Sequence, residues 1–174
     1  MNIILEGCDK TGKTTLAKMC CQYFKLEYKH FAAPPKDLSK DAQIAYQKAE
    51  YAIETLMLPY QNACYDRFLI GEAVYSPIYR GYCPDYIHVF EKAFPPEDTF
   101  LFLIYADPKI VADRFDGKFI KKEHIPKILK SFQEQFRKSK IKNKFAIDTT
   151  IESPKESFNT IMTYVNLIQW GGAL

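Results

Sequence analysis

The chain has 174 residues, 47% apolar and 15% aromatic, which is enough material for one domain with a sizeable core and argues against a disordered segment. Its net charge of +3 is mild, and no block of like charge resembles a nucleic-acid-binding tail, so no nucleic-acid partner is expected. No apolar run approaches 18 residues and no signal peptide is visible, so neither a membrane partner nor secretion is expected. The five cysteines (8, 20, 21, 64 and 83) form no C-x-x-C pair, which fits reduced thiols in a cytoplasmic protein.

In chain order, Asn2–Glu6 is predicted as a buried strand, followed by a glycine-containing loop and a helix over Thr15–Phe24. A second strand is predicted over Glu27–Ala32, ended by Pro34-Pro35, and a long helix over Asp37–Leu58. The third strand is Asn62–Tyr65, ending at Asp66-Arg67. A helix over Leu69–Tyr79 is expected to bend near Pro77, and a short helix covers Asp85–Ala93. The fourth strand is Thr99–Tyr105, the most apolar run. Asp107-Pro108 starts a helix to about Arg114, a charged loop leads to a helix over 122–138, Lys144–Asp148 is the fifth strand, and Ser153-Pro154 opens a last helix to about Gln169. Strands alternating with helices imply an α/β fold: one domain, 1–174, with a five-stranded parallel sheet and helices on both faces. Ligands in such sheets bind beyond the C-terminal strand ends, so the residues just after each strand carry the functional information.

The loop Gly7-Cys-Asp-Lys-Thr-Gly12-Lys13-Thr14 fits G-x-x-x-x-G-K-[ST] at every fixed position. Four fixed positions match by chance in about 0.6% of chains this long, and the strand-before, helix-after context lowers that further. A strand, a glycine loop and a helix start make an anion site, because backbone N–H groups converge and the helix N-terminus adds partial positive charge. Lys13 would reach outer phosphates and the Thr14 hydroxyl would hold Mg²⁺. After the third strand, Asp66 is placed to accept from Mg²⁺-bound water and Arg67 to fork onto a phosphate or carboxylate.

Leu5-Glu-Gly-Cys-Asp-Lys-Thr-Gly-Lys-Thr-Thr15 resembles the phosphate loop of thymidylate kinases. Asp66-Arg67-Phe68 with Val74-Tyr75 is similar to their D-R-[YF] segment, Asp107-Pro108 with Arg114 to their helix after the fourth strand, and Ile147-Asp148-Thr149 to their last strand and turn. The resemblance covers most of the chain in the right order. It implies a P-loop NTPase three-layer sandwich that moves the γ-phosphoryl of ATP to a deoxynucleoside monophosphate of the dTMP type, with Mg²⁺. It places ATP on Gly7, Cys8, Asp9, Lys10, Thr11, Gly12, Lys13, Thr14 and Thr15, with Arg114 stacked on adenine and Asp148 and Thr149 nearby. Asp9 would touch the acceptor's 3′-hydroxyl, Arg67 its phosphate, and Tyr75 would pack under the deoxyribose. Glu6, Lys13, Asp66 and Arg67 form the implied catalytic set, Thr14 and Asp66 the metal set. A homodimer through helices beside the third strand is compatible with the resemblance.

The sequence departs from the family in four places, one of them Ser76 where a glutamine usually follows the Tyr75 position. His30-Phe-Ala-Ala-Pro-Pro35 stands where an arginine-bearing segment usually follows strand two. The long helix offers Tyr46, Gln47, Glu50 and Tyr51, without an arginine, where the base is usually read. The lid is short, Phe115 to Lys122, with Lys118, Lys121 and Lys122 as its cations and Gly117 as a candidate hinge. A nucleoside attacking through its 5′-hydroxyl remains an alternative acceptor, with Glu6 or Asp66 as base. A GTPase-type switch would need N-K-x-D, but Asn143-Lys144 is followed by Phe-Ala. A kinase acting on a polynucleotide end lacks a basic groove signature.

Overall fold

The structure, a computed structural model, describes residues 1–118 and 120–171. Phe119 of the expected lid and residues 172–174 of the expected domain lie outside them. Five parallel strands, β1 (Asn2–Glu6), β2 (Glu27–His30), β3 (Ala63–Asp66), β4 (Thr99–Tyr105) and β5 (Asn143–Asp148), form one sheet in the order β2-β3-β1-β4-β5. The helices are α1 (Lys13–Phe24), α2 (Lys40–Met57), α3 (Leu69–Tyr75), α4 (Ile87–Glu91), α5 (Pro108–Asp113), α6 (Ile125–Lys138) and α7 (Pro154–Trp170).

Strand alternation sorts the core into two layers. Ile3 and Leu5 of β1, Cys64 of β3 and Phe100 and Phe102 of β4 pack with α1 and α7. Ile4, Tyr65, Leu101 and Leu103 face the other way, against α2 to α6. The result is the three-layer sandwich, with the sheet covered on both sides. The same alternation aims the strand ends. Glu6 follows Ile4 towards α3, whereas Asp66 follows Cys64 towards α1 and the phosphate loop.

Boundaries differ from the sequence reading for local reasons. β2 stops at His30 because its partner β3 ends at Asp66. The next residue, Arg67, has φ +74, which no strand can continue. The long helix begins at Lys40, not Asp37, because the Ser39 hydroxyl accepts from Ala42 N and caps it. The expected bend at Pro77 is a π-helical turn over Ser76–Arg80. Proline has no N–H and its ring displaces the carbonyl four residues back, so the turn widens. Ser153 and Glu156 cap α7 reciprocally. Among the described residues no helix is long and apolar enough to cross a membrane, and the five cysteines are all unbridged.

Candidate active site

β1 lies between β3 and β4, so connections leaving it diverge in both directions and open a crevice at the carboxyl ends of the strands. The phosphate loop occupies that crevice. Gly7 has φ +148, and a Cβ there would collide with the Ile104 carbonyl oxygen of β4, so only glycine lets the loop leave the strand this close to the sheet. Gly12 has φ +92 and no side chain caps α1. Among the described residues the backbone N–H groups of Lys10 to Lys13 donate to no other protein group. They are free for an anion at a helix N-terminus with no acidic residue in its first turn.

The loop is braced from within and from β5. Thr11 Oγ1 donates to the Cys8 carbonyl at 2.9 Å, and Thr149 Oγ1 donates to the Thr11 carbonyl at 3.0 Å. Lys13 Nζ donates to the same Cys8 carbonyl at 2.5 Å. Thr14 Oγ1 donates to Asp66 Oδ2 at 2.5 Å, and Tyr28 OH donates to that oxygen at 3.0 Å. His30 Nδ1 stands 3.8 Å from it, an electrostatic rather than hydrogen-bonded distance. Burial alone would raise the Asp66 carboxyl. The interactions with His30 and Thr14, the Lys13 charge and the Tyr28 hydroxyl outweigh it and hold the group well below the usual carboxylate range.

Arg67, turned by its positive φ away from the Asp66 side, pairs through Nη2 with Asp9 Oδ1. Its guanidinium lies 5.3 Å from the centroid of the Tyr75 ring, and Tyr75 OH donates to Asp9 Oδ2 at 3.2 Å. These three residues line a cavity of about 900 Å³ together with Phe31, Tyr51 and Tyr79. A second cavity of about 300 Å³ lies on the other side of the loop, lined by Gly12, Thr15, Arg114 and Thr149. Arg114 Nη2 donates to the Thr149 carbonyl at 3.0 Å, which lays its guanidinium along that cavity. The two cavities thus lie on either side of one phosphate loop.

Solved structures share this arrangement of elements. A YorR protein from Bacillus subtilis, determined in complex with phosphorylated GDP, matches with a TM-score of 0.76 at 20% identity, over 97% of this chain and 98% of its own. Thymidylate kinase from Candida albicans matches with a TM-score of 0.70 at 14% identity, over 97% and 92%. Deoxyadenosine kinase from M. mycoides, with the products dCMP and a flexible dCDP bound, matches with a TM-score of 0.65 at 18% identity, over 97% and 100%. The chain has the thymidylate kinase-like P-loop kinase fold. No protein-family model and no curated protein sequence matches it.

Within this P-loop kinase fold, several residues expected in the site stand elsewhere. Glu6, expected among the catalytic residues, is fully buried with both oxygens engaged: Oε1 accepts from Phe68 N at 2.9 Å and Ile70 N at 2.8 Å, Oε2 from Gly71 N at 3.0 Å. It holds the start of α3, next to the Arg67 turn. Burial pushes its carboxyl up to about 7 against the pull of those hydrogen bonds. Tyr46 is 46% exposed and, with Gln47 and Glu50, does not line the larger cavity; Gln43 and Tyr51 of the same helix do. The Asp148 carboxylate accepts from Thr150 N at 2.9 Å and closes the turn after β5, leaving Thr149 to face the smaller cavity. Lys118, Lys121 and Lys122 are exposed and line neither cavity. The short lid instead touches the site through Lys10 Nζ to Asp116 Oδ2 at 2.6 Å and through Ile120, and Lys121 N donates to Tyr79 OH at 3.2 Å. Gly117 has φ +79, and a Cβ there would meet no neighbouring atom.

Sequence reasoning missed Tyr28, His30, Glu72 and Arg80. The first two reach Asp66 only through strand pairing. Glu72 carried one signal, a glutamate inside the apolar segment Leu69–Tyr75.

The metal fit rests on donor chemistry. Thr14 and Asp66 offer a hydroxyl and a carboxylate side by side, and no group of three or more His, Cys, Asp or Glu side chains able to hold a metal occurs among the described residues. Mg²⁺ suits such a place, since it takes one or two protein oxygens and completes its shell with water and phosphate oxygens.

Lys13 has a measurable signature. Burial, with the Arg67 charge, lowers its ammonium to about 8 from the ordinary 10.5. A triphosphate beside it restores the charged form. At pH 9 most of the free protein therefore holds Lys13 neutral, and ATP binding should take up close to one proton; at pH 7 it should take up almost none. Calorimetry in two buffers of different ionisation enthalpy reads this directly, and Lys13→Met should abolish it. Equal uptake at pH 7 and pH 9 would place the proton elsewhere.

Proposed function

We propose that the chain transfers the γ-phosphoryl group of ATP to the phosphate of a deoxynucleoside monophosphate, giving the diphosphate. One observation carries the choice of acceptor. The three carboxylates nearest the phosphate loop are all engaged: Glu6 by three backbone N–H groups, Asp66 by Thr14 and Tyr28, and Asp9 by Arg67 and Tyr75. A 5′-hydroxyl acceptor needs a base, whereas a phosphate arrives already ionised and needs a cation. Arg67 is that cation, at the mouth of the larger cavity and next to the loop.

The chemistry asked of the protein is positioning and charge neutralisation. The loop N–H groups and Lys13 hold the β- and γ-phosphates. Thr14 and Asp66 would hold Mg²⁺, which would supply positive charge against the phosphate oxygens. Arg67 exchanges part of its pairing with Asp9 for the acceptor phosphate, which leaves an Asp9 oxygen for the sugar 3′-hydroxyl. The Tyr75 ring lies under the deoxyribose. Arg114 lies along the smaller cavity, where adenine stacks. The deoxyadenosine kinase neighbours keep nucleoside phosphorylation as the second reading, and it would require Asp9 to leave Arg67 and act as base.

Arg67→Ala separates the two substrates. KM for a monophosphate acceptor should rise about 100-fold, roughly the 2.7 kcal/mol of a charge-assisted fork, while KM for ATP changes less than about threefold. Equal increases for both would remove Arg67 from the acceptor side.

A further inference from the structure

The larger cavity contains a second charged pair, Glu72 and Arg80, and it accounts for what the long helix does not supply. Glu72 lies in α3 with its side chain 1% exposed, and Arg80 ends the π-helical turn with its side chain 15% exposed. Glu72 Oε1 accepts from Tyr82 OH at 2.5 Å and Tyr86 OH at 3.0 Å. Glu72 Oε2 accepts from Arg80 Nη2 at 2.5 Å. Arg80 Nε and Nη2 also donate to Ser76 Oγ at 3.1 and 2.7 Å. Among the described residues nothing accepts from Arg80 Nη1. Two hydroxyls therefore fill the lone pairs of Oε1, Oε2 keeps one, and Nη1 keeps two N–H groups.

We propose that Glu72 and Arg80 read the acceptor's base, and that they select a base with an amino group beside a ring nitrogen over thymine or uracil. This rests on the larger cavity being the acceptor site. The pair presents one acceptor next to one donor. The cytosine edge answers it with an amino N–H for Oε2 and N3 for Nη1, and adenine does the same with its amino group and N1. Guanine offers N1–H with O6, and its extra amino group turns towards Oε1. Thymine and uracil give N3–H to Oε2 and O4 to Nη1, but their second carbonyl then faces Oε1 and the tyrosine oxygens, whose hydrogens are already committed. That leaves a carbonyl without a donor against a carboxylate, the kind of mismatch that polar sites reject strongly. Tyr46, Gln47 and Glu50 of α2 do not line the cavity, so base reading moves to the opposite end of the α3 segment.

The test compares dCMP with dUMP, which differ only in the edge that the pair would read. Wild-type protein should favour dCMP at least tenfold, both in kcat/KM and in Kd by equilibrium dialysis. Glu72→Gln replaces an acceptor-only group with one that also donates, so the ratio should fall at least tenfold, mainly through gain on dUMP. Arg80→Gln, at a more exposed position, should weaken dCMP more than dUMP. Equal wild-type binding of dCMP and dUMP, or binding of neither, overturns the proposal. So does a folded Glu72→Gln or Arg80→Gln that weakens all acceptors alike, which is what a pair merely bracing the turn would give. If Glu72→Gln does not fold, the wild-type ratio and Arg80→Gln decide. If only nucleosides are phosphorylated, the acceptor reading fails, while deoxycytidine against deoxyuridine still tests the pair.

Discussion

Lys13→Ala should lower kcat by at least ~10³-fold and leave the melting temperature within about 4 °C of wild type. In the proposed transfer this ammonium would meet the negative charge that spreads over the moving phosphoryl group, and alanine would supply nothing there. Its structural contribution is one hydrogen bond to the Cys8 carbonyl, while its burial as an ammonium is itself unfavourable, as its lowered proton affinity records. Loss of rate with an unchanged fold is therefore the expected pair of results, read by steady-state kinetics and calorimetry. Retained activity would remove the loop from the chemistry.

Glu6→Ala should do the opposite and act on stability first. It strands the backbone N–H groups of Phe68, Ile70 and Gly71 in a closed interior. Each unpaired buried group costs about 1–3 kcal/mol, so the total is on the order of 4 kcal/mol and roughly 10 °C in Tm. Because α3 also carries Glu72 and Tyr75, activity should fall with it. The carboxyl's pH behaviour has a definite sign. It titrates near 7 folded and near 4.5 unfolded, so the folded state holds the extra proton between those values. Its contribution is full below about pH 4.5 and is lost as pH rises through 7. Chemical denaturation of wild type and Glu6→Ala across pH 5 to 7.5 should show that slope in the first and not in the second. Asp66 works in reverse, since its lowered carboxyl contributes above its ordinary value of 3.8 and is lost below it.

The sheet and the phosphate loop were legible because their signals are local. β4 is one apolar run, and the loop's four fixed residues sit within eight positions between a strand and a helix. Asp66-Arg67 was legible as a charged pair after a buried strand, but not its division of labour, which comes from the period of two and from the positive φ at Arg67. The lining of the larger cavity was illegible for tertiary reasons. The buried stripe of α2 runs through Gln47, Tyr51 and Thr55, so Tyr46 sits about 100° off it and faces outward. Arg80 reaches Glu72, eight residues earlier, only because Pro77 widens the turn between them. Tyr28 reaches Asp66 only because β2 pairs with β3.

The acceptor itself is tested most directly by ADP release with ATP and Mg²⁺, comparing each deoxynucleoside with its 5′-monophosphate at equal concentration. Turnover with one or more monophosphates, at least 100-fold above the matching nucleoside, is the result expected from Arg67 as a phosphate clamp with no free base beside it. Turnover with nucleosides and none with monophosphates would contradict it.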